Sequence, residues 1–270
     1  MSKIKFQRKF LAIPYGIFLI LFVVIPMLLI VFYAFTKTDP VSGKTVPSLD
    51  NLVAFFSNKY NLHTFIISLA IGLGNTILCL LIGYPIAYIL SRRELKISYV
   101  VVLLFVMPMW INFVLRTAAT RDLLYTIGIS GGEHPYVATM IGMVYNYLPF
   151  TILPLYSTML KLDNSLIEAS QDLGANKVQT FFKVTLPSTV PGIVSAALMV
   201  FMPTMSSYVI SDVMGERQIS LIGNTIQLYF DQGLWNLGSF VALILLVIIL
   251  ATMFFTRNME RDESARGGIW

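Results

Sequence analysis

Apolar residues in this chain are gathered into long blocks separated by short polar stretches. They do not alternate with polar residues at the period of a strand, nor form narrow stripes on otherwise polar helices. Each block matches the roughly 20 residues a helix needs to cross about 30 Å of hydrocarbon. The pattern predicts an all-α polytopic membrane protein with six transmembrane helices, near residues 10–35, 62–90, 99–118, 136–160, 190–210 and 235–256. Pro85, Pro108, Pro149 and Pro203 fall inside these blocks and are expected to bend them, which neighbouring helices make tolerable in a membrane. The domain expected is a single one over residues 1–270, with a core bundle at 62–256.

Composition agrees with that reading and excludes a soluble domain. Hydrophobic residues make up 56 % of the chain and charged residues 12 %, at a mean hydropathy of +0.75. The start, MSKIKFQRKF, is basic and runs into an apolar stretch reaching about Phe35. A cleaved leader has an apolar core of only about 7–15 residues, so this segment is expected to stay as the first helix.

With an even number of spans both termini share a side with the loops near 91–98 and 161–189. That side carries Lys3, Lys5, Arg8, Lys9, Arg92, Arg93, Lys96, Lys161, Lys177, Lys183, Arg257, Arg261 and Arg266, thirteen of the 19 cations. Short loops rich in Lys and Arg stay in the cytoplasm, so both termini are expected there, in a bacterial plasma (inner) membrane. The opposite side has Lys37, Lys44, Lys59, Arg116, Arg121 and Arg217 against Asp39, Asp50, Asp122, Glu133, Asp212, Glu216 and Asp231. The basic balance is therefore a topology signal, and no nucleic-acid partner is expected.

Other chemistry is sparse. Cys79 is the one cysteine, and His63 and His134 are isolated, so no disulfide and no metal site is expected. Gly43-Lys44-Thr45 looks like the end of a phosphate-binding loop, but Thr38 stands where its first glycine belongs and no strand precedes it. The chain itself is expected to bind no cofactor and to be no enzyme.

The stretch from Asp163 to Pro191, DNSLIEASQDLGANKVQTFFKVTLPSTVP, is too polar to span a membrane and too well punctuated for a linker. Ser165-Leu166-Ile167-Glu168 reads as a capping box, Gly174 as a left-handed stop, Asn176-Lys177-Val178-Gln179 as a second helix start, and Pro187 as its end. A first helix of about nine residues spans only about 13 Å and is marginal alone in water, so something must pack on it.

Here the chain resembles the permeases of binding-protein-dependent (ABC) importers, which have the MetI-like fold. Their cytoplasmic EAA motif runs Glu-Ala-Ala, three residues, Gly, nine residues, Ile, one residue, Leu-Pro. Glu168, Ala169, Ser170, Gly174, Val184, Leu186 and Pro187 stand at those spacings, with Ser for the third Ala and Val for Ile. The resemblance implies a coupling loop at 161–189, its first helix seated on an ATPase through Ser165, Glu168, Ala169, Asp172, Gly174 and Ala175. It also implies two ATPase copies carrying ATP and Mg, a second homologous permease and an extracytoplasmic substrate-binding protein. The stretches LIGYPIAYIL (81–90), PMWINFVLRT (108–117), LPFTILPLYS (148–157), SDVMG and LIGN are similar to the permeases for the polyamines spermidine and putrescine. Permeases for iron, phosphonates or other amino compounds share parts of them and stay open as alternatives.

A path for such a dication or trication would want carboxylates and aromatic faces. Thr204, Ser207, Tyr208, Ser211 and Asp212 have the spacing of one polar stripe on a single helix, expected to face a water-filled path or another subunit. Trp110, Asn112, Tyr145 and Tyr147 are further candidates for its lining, with interfacial anchoring as the other reading of the aromatics. Arg116 would repel a polyamine, so it is expected to snorkel to the interface, or to pair with Asp122 or another subunit's acid. The rival class is an ion-coupled secondary transporter or channel. It is disfavoured for protons because no acidic residue falls within a predicted span, while sodium coupling through backbone carbonyls stays open. A purely structural membrane subunit would leave the polar stripe unexplained.

Overall fold

The computed structural model describes residues 12–38, 44–91 and 98–266. Lys3, Lys5, Arg8, Lys9, Phe10, Asp39, Gly43, Arg92, Arg93 and Lys96 lie outside the described residues, as do the side chains of Arg257, Arg261 and Arg266. Helices dominate: α1 Ile13–Ala34, α2 Asp50–Ser57, α3 Lys59–Leu90, α4 Ser98–Val106, α5 Phe113–Thr126, α6 Pro135–Leu160, α7 Asn164–Asp172, α8 Lys177–Ser188, α9 Val190–Ser206, α10 Tyr208–Met214, α11 Ile222–Asp231 and α12 Trp235–Arg266. Four of them are long and apolar enough to cross a membrane, or up to six spans form if each of two bent helix pairs counts as one.

The described residues divide into two compact units. One takes the chain up to Leu62 together with Thr225–Ile248. In it a short antiparallel hairpin, β1 Thr36–Thr38 with β2 Thr45–Pro47, follows α1 and pairs Lys37 with Val46. Two asparagines tie this turn down. Asn51 Nδ2 donates to the carbonyls of Ala34 and Thr36, and Asn236 Nδ2 donates to those of Tyr33 and Thr36. The rings of Phe35, Phe55 and Phe240 pack beside them, with centroids 6.3 and 6.0 Å from Phe240.

The second unit, His63–Asn224 with the chain from Ile249, holds the candidate sites. Its helices approach closely because small residues line their contacts, the usual device where lipid removes the hydrophobic drive for association. A Cβ on Gly83 would lie 2.8 Å from Thr151 Cγ2, and one on Gly192 would lie 2.6 Å from Thr158 Oγ1. Met143, Ile210, Met214 and Leu221 are fully enclosed in the core that results.

Four spans start and stop close to where the hydropathy blocks place them, but two depart. The block at 99–118 is not one helix: Tyr99–Trp110 and Phe113–Thr126 meet at 101°. Pro108 opens a tight 3-10 turn over Met107–Trp110, Ile111 is extended at φ −77°, ψ 144°, and Asn112 then caps a new helix by accepting from the Val114 and Leu115 amides. The block at 190–210 stops at Ser206. Ser207 leaves the helical region at ψ 70°, and Tyr208–Met214 begins afresh. Pro85, Pro149 and Pro203, by contrast, sit inside helices that continue past them.

Candidate functional site: the exposed helical elbow and a buried polar core

The elbow at 163–188 forms as two helices, with two local corrections. Asp163, not Ser165, caps α7, because its carboxylate accepts from the Ser165 amide at 3.0 Å while Ser165 lies inside the helix. Pro187 does not end α8. It falls in the opening turn of Leu186–Ser188, where a missing amide costs nothing, and the chain bends 62° only at Thr189 before α9. Gly174 does stop the first helix at φ +86°, and Asn176 with Gln179 makes a full capping box.

The elbow is fastened to the rest of its unit from one side. Ser170 Oγ, the serine that stands where the motif has alanine, lies 2.9 Å from Thr180 Oγ1 and locks α7 to α8. Phe181 sets its ring edge-on to Tyr84 and Tyr88 near the end of α3, at 5.9 and 5.6 Å, and the Tyr84 hydroxyl lies 2.9 Å from Thr189 Oγ1 at the bend. A cavity of about 370 Å³ lies under α7, lined by Tyr88, Ser91, Glu168, Gln171, Lys177 and Phe181 among others.

The other side of the elbow is bare. Ser165, Ala169, Asp172 and Gly174 are exposed and Ala175 is half-buried, while Glu168 is exposed at the rim of the cavity. Glu168 and Asp172, one helical turn apart, form no ion pair among the described residues. Leu173, which spacing alone did not single out, is 90 % exposed at the tip, with Leu166 and Val178 exposed beside it. An acidic and apolar face of this kind is what a partner with a basic-rimmed groove would cover.

The polar stripe does not survive as one face of one helix. Thr204 is buried, accepting from Asn75 Nδ2 at 2.8 Å and donating to the Val200 carbonyl. Beyond the break at Ser207, itself buried, Asn224 gathers the remainder: its Oδ1 accepts from Ser211 Oγ and the Leu221 amide, and its Nδ2 donates to Asp212 Oδ1 at 2.6 Å. Burial pushes the Asp212 carboxyl above its ordinary range, with Arg217 and Asn224 pulling the other way. Asn224 is thus a positioning residue that helical spacing could not reveal. Replacing it by Ala removes these bonds, and the assembled protein is expected to lose about 2–4 kcal/mol of stability, read as a lower midpoint of thermal unfolding in detergent.

The aromatic candidates divide. Trp110 is 87 % exposed at the break, and Tyr145 and Tyr208 are exposed to 42 % and 40 %. Tyr147 is instead buried with its hydroxyl on the Pro203 carbonyl, and Asn112 serves as a helix cap. Arg116 neither snorkels nor meets Asp122. It is 7 % exposed, its Nε donates to Asn146 Oδ1 at 2.9 Å, and Asp122 pairs with Arg121.

Residues 80–264 match the family model described as "Binding-protein-dependent transport system inner membrane component". The chain belongs to this family. Among curated proteins it is 36 % identical over 266 residues to the spermidine/putrescine transport system permease protein PotB of Haemophilus influenzae, covering 93 % of this chain and 92 % of that protein. It is 34 % identical over 247 residues to PotB of Escherichia coli K12, covering 86 % and 90 %. In fold, it aligns at a TM-score of 0.68 and 17 % identity with a chain of a bacterial ABC transporter involved in the import of the acidic polysaccharide alginate, covering 93 % of this chain and 94 % of that one. The chain is therefore a transport permease subunit with the MetI-like fold, homologous to permeases of spermidine/putrescine importers.

Proposed function

We propose that this permease carries polyamines, spermidine and putrescine among them, inward across the membrane, driven by ATP that a separate ATPase hydrolyses. Homology over more than nine-tenths of a spermidine/putrescine permease supports the substrate. The observation that carries the coupling is the uncovered face of α7, with Glu168, Asp172 and a 90 % exposed Leu173, on an elbow otherwise fastened by Ser170, Thr180 and Phe181.

In this reading, which the distribution of Lys and Arg supports, α7 lies on the cytoplasmic side and seats in a groove of one of two ATPase copies that bind ATP and Mg. Closure of the ATPases pushes α7. The push passes through the Ser170–Thr180 contact into α8 and through Phe181 to Tyr84 and Tyr88 on α3, and the bend at Thr189 turns it into α9. A second, homologous permease completes the path, and an extracytoplasmic binding protein delivers the amine. Trp110, Tyr208 and Asp212 are this chain's contribution to the lining, offering ring faces and one carboxylate to ammonium groups, with Tyr145 beside them and one of its faces taken by the Arg116 guanidinium at 5.7 Å. This chain binds no cofactor of its own.

Asp212→Asn should raise the amine concentration for half-maximal uptake about tenfold while leaving the maximal rate within about twofold. Because the wild-type carboxyl sits above its ordinary range, it loses its charge at a higher pH than an unperturbed aspartate. Amine affinity should accordingly begin to fall earlier as the medium is acidified, and the Asn variant should lack that dependence. The substrate is tested by measuring which ligands, with the binding protein present, stimulate ATP hydrolysis by the assembled complex. Spermidine or putrescine should do so, and stimulation by another solute with none by either polyamine would overturn the assignment.

A further inference from the structure

Among the described residues Arg116 is the one charged side chain in the buried set, and no carboxylate answers it: the two ion pairs present are Lys37–Asp50 and Arg121–Asp122. It is also held still. Nε donates to Asn146 Oδ1 at 2.9 Å, and the same amide is anchored by its Nδ2 to the Gly142 carbonyl at 2.8 Å and to Thr117 Oγ1 at 3.4 Å. Nη1 is buried with no hydrogen-bond partner. The guanidinium carbon stands 5.7 Å above the Tyr145 ring, the position a substrate ammonium would take on that face, and Tyr145 is itself 42 % exposed.

A buried, unpaired and immobilised positive charge costs stability, so a chain that keeps one obtains something from its field. A neutral residue of the same size would pack against Asn146 and Tyr145 at less cost. We propose that Arg116 is a fixed electrostatic barrier in the wall of the translocation path, which keeps the resting path closed to small cations and confines cation passage to the driven cycle. This rests on the path reading given above, with the exposed side of Tyr145 turned to it. At close range in a partly desolvated wall, one fixed positive charge is enough to suppress cation entry by an order of magnitude or more. The chain bends by 101° at Ile111–Asn112, so the helix that bears the barrier starts afresh only four residues before Arg116.

The test is passive efflux of rubidium ions from proteoliposomes holding the assembled complex, without ATP and without the binding protein. Arg116→Gln should raise efflux at least about tenfold over wild type, whereas Arg116→Lys, which keeps the charge, should stay within about twofold. Asn146→Asp, which neutralises the guanidinium and is isosteric with the wild type, should leak like Arg116→Gln and serves if that variant fails to assemble. Efflux at the wild-type rate from assembled Arg116→Gln or Asn146→Asp would overturn the proposal. So would equal leaks from the Lys and Gln variants, which would assign the residue to packing. Rubidium is not the transported substrate, so a failure of the polyamine assignment would appear in ligand-stimulated ATP hydrolysis and leave this readout untouched.

Discussion

Leu173→Glu is expected to lower ATP-driven uptake by about thirtyfold or more while the protein still inserts and folds. The side chain is 90 % exposed and touches little within its own chain, so the substitution removes nothing internal, yet it places a further carboxylate next to Asp172 at the tip of the elbow proposed to seat in the ATPase. A well-packed apolar anchor at the middle of an interface contributes about 2 kcal/mol or more, which sets the size of the effect. Glu168→Lys should act in the same direction by repelling a basic rim, leaving ATP hydrolysis that no longer drives uptake. Membrane fractionation and co-purification of the ATPase distinguish lost docking from lost folding. Wild-type uptake by both variants would remove α7 from the coupling route.

Gly223→Ala should destabilise the fold about as much as the loss of the Asn224 side chain does. A Cβ there would run into the main chain of Ser206, at the end of α9, where no side chain can swing aside. The clash is expected to cost about 2–4 kcal/mol and to appear as a lower thermal midpoint and a reduced yield of assembled complex. Gly16→Ala in α1, where an added Cβ meets nothing within 4 Å, is the matching control and should leave the midpoint unchanged or slightly raised.

The long apolar runs made α1, α3, α6 and the apolar part of α12 legible from the sequence, since a span of that length has few alternatives in a membrane. The elbow was legible for a different reason. Gly174 and the Asn176–Gln179 box are local signals whose partners lie within a few residues. The break within the third block was written in the same local language, Pro108 followed by Asn112 ahead of a new helix, but there the asparagine read as path lining and not as a cap. The interruption at Ser207 carries neither Gly nor Pro, and what holds Ser211 and Asp212 is Asn224, on the far side of a turn. The fate of Arg116 depended on Asn146, 30 positions away on another helix, a pairing that no helical period encodes.

In the proposed reading the permease has no engine of its own and moves its substrate only when α7 is driven by an ATPase. The decisive measurement is uptake of labelled spermidine into proteoliposomes, with this chain and its partner permease present and the ATPase supplied or withheld. Uptake should require the ATPase, ATP and the binding protein together, and should fall to the level of protein-free vesicles when the ATPase is left out. Concentrative uptake by the membrane chains alone would contradict it.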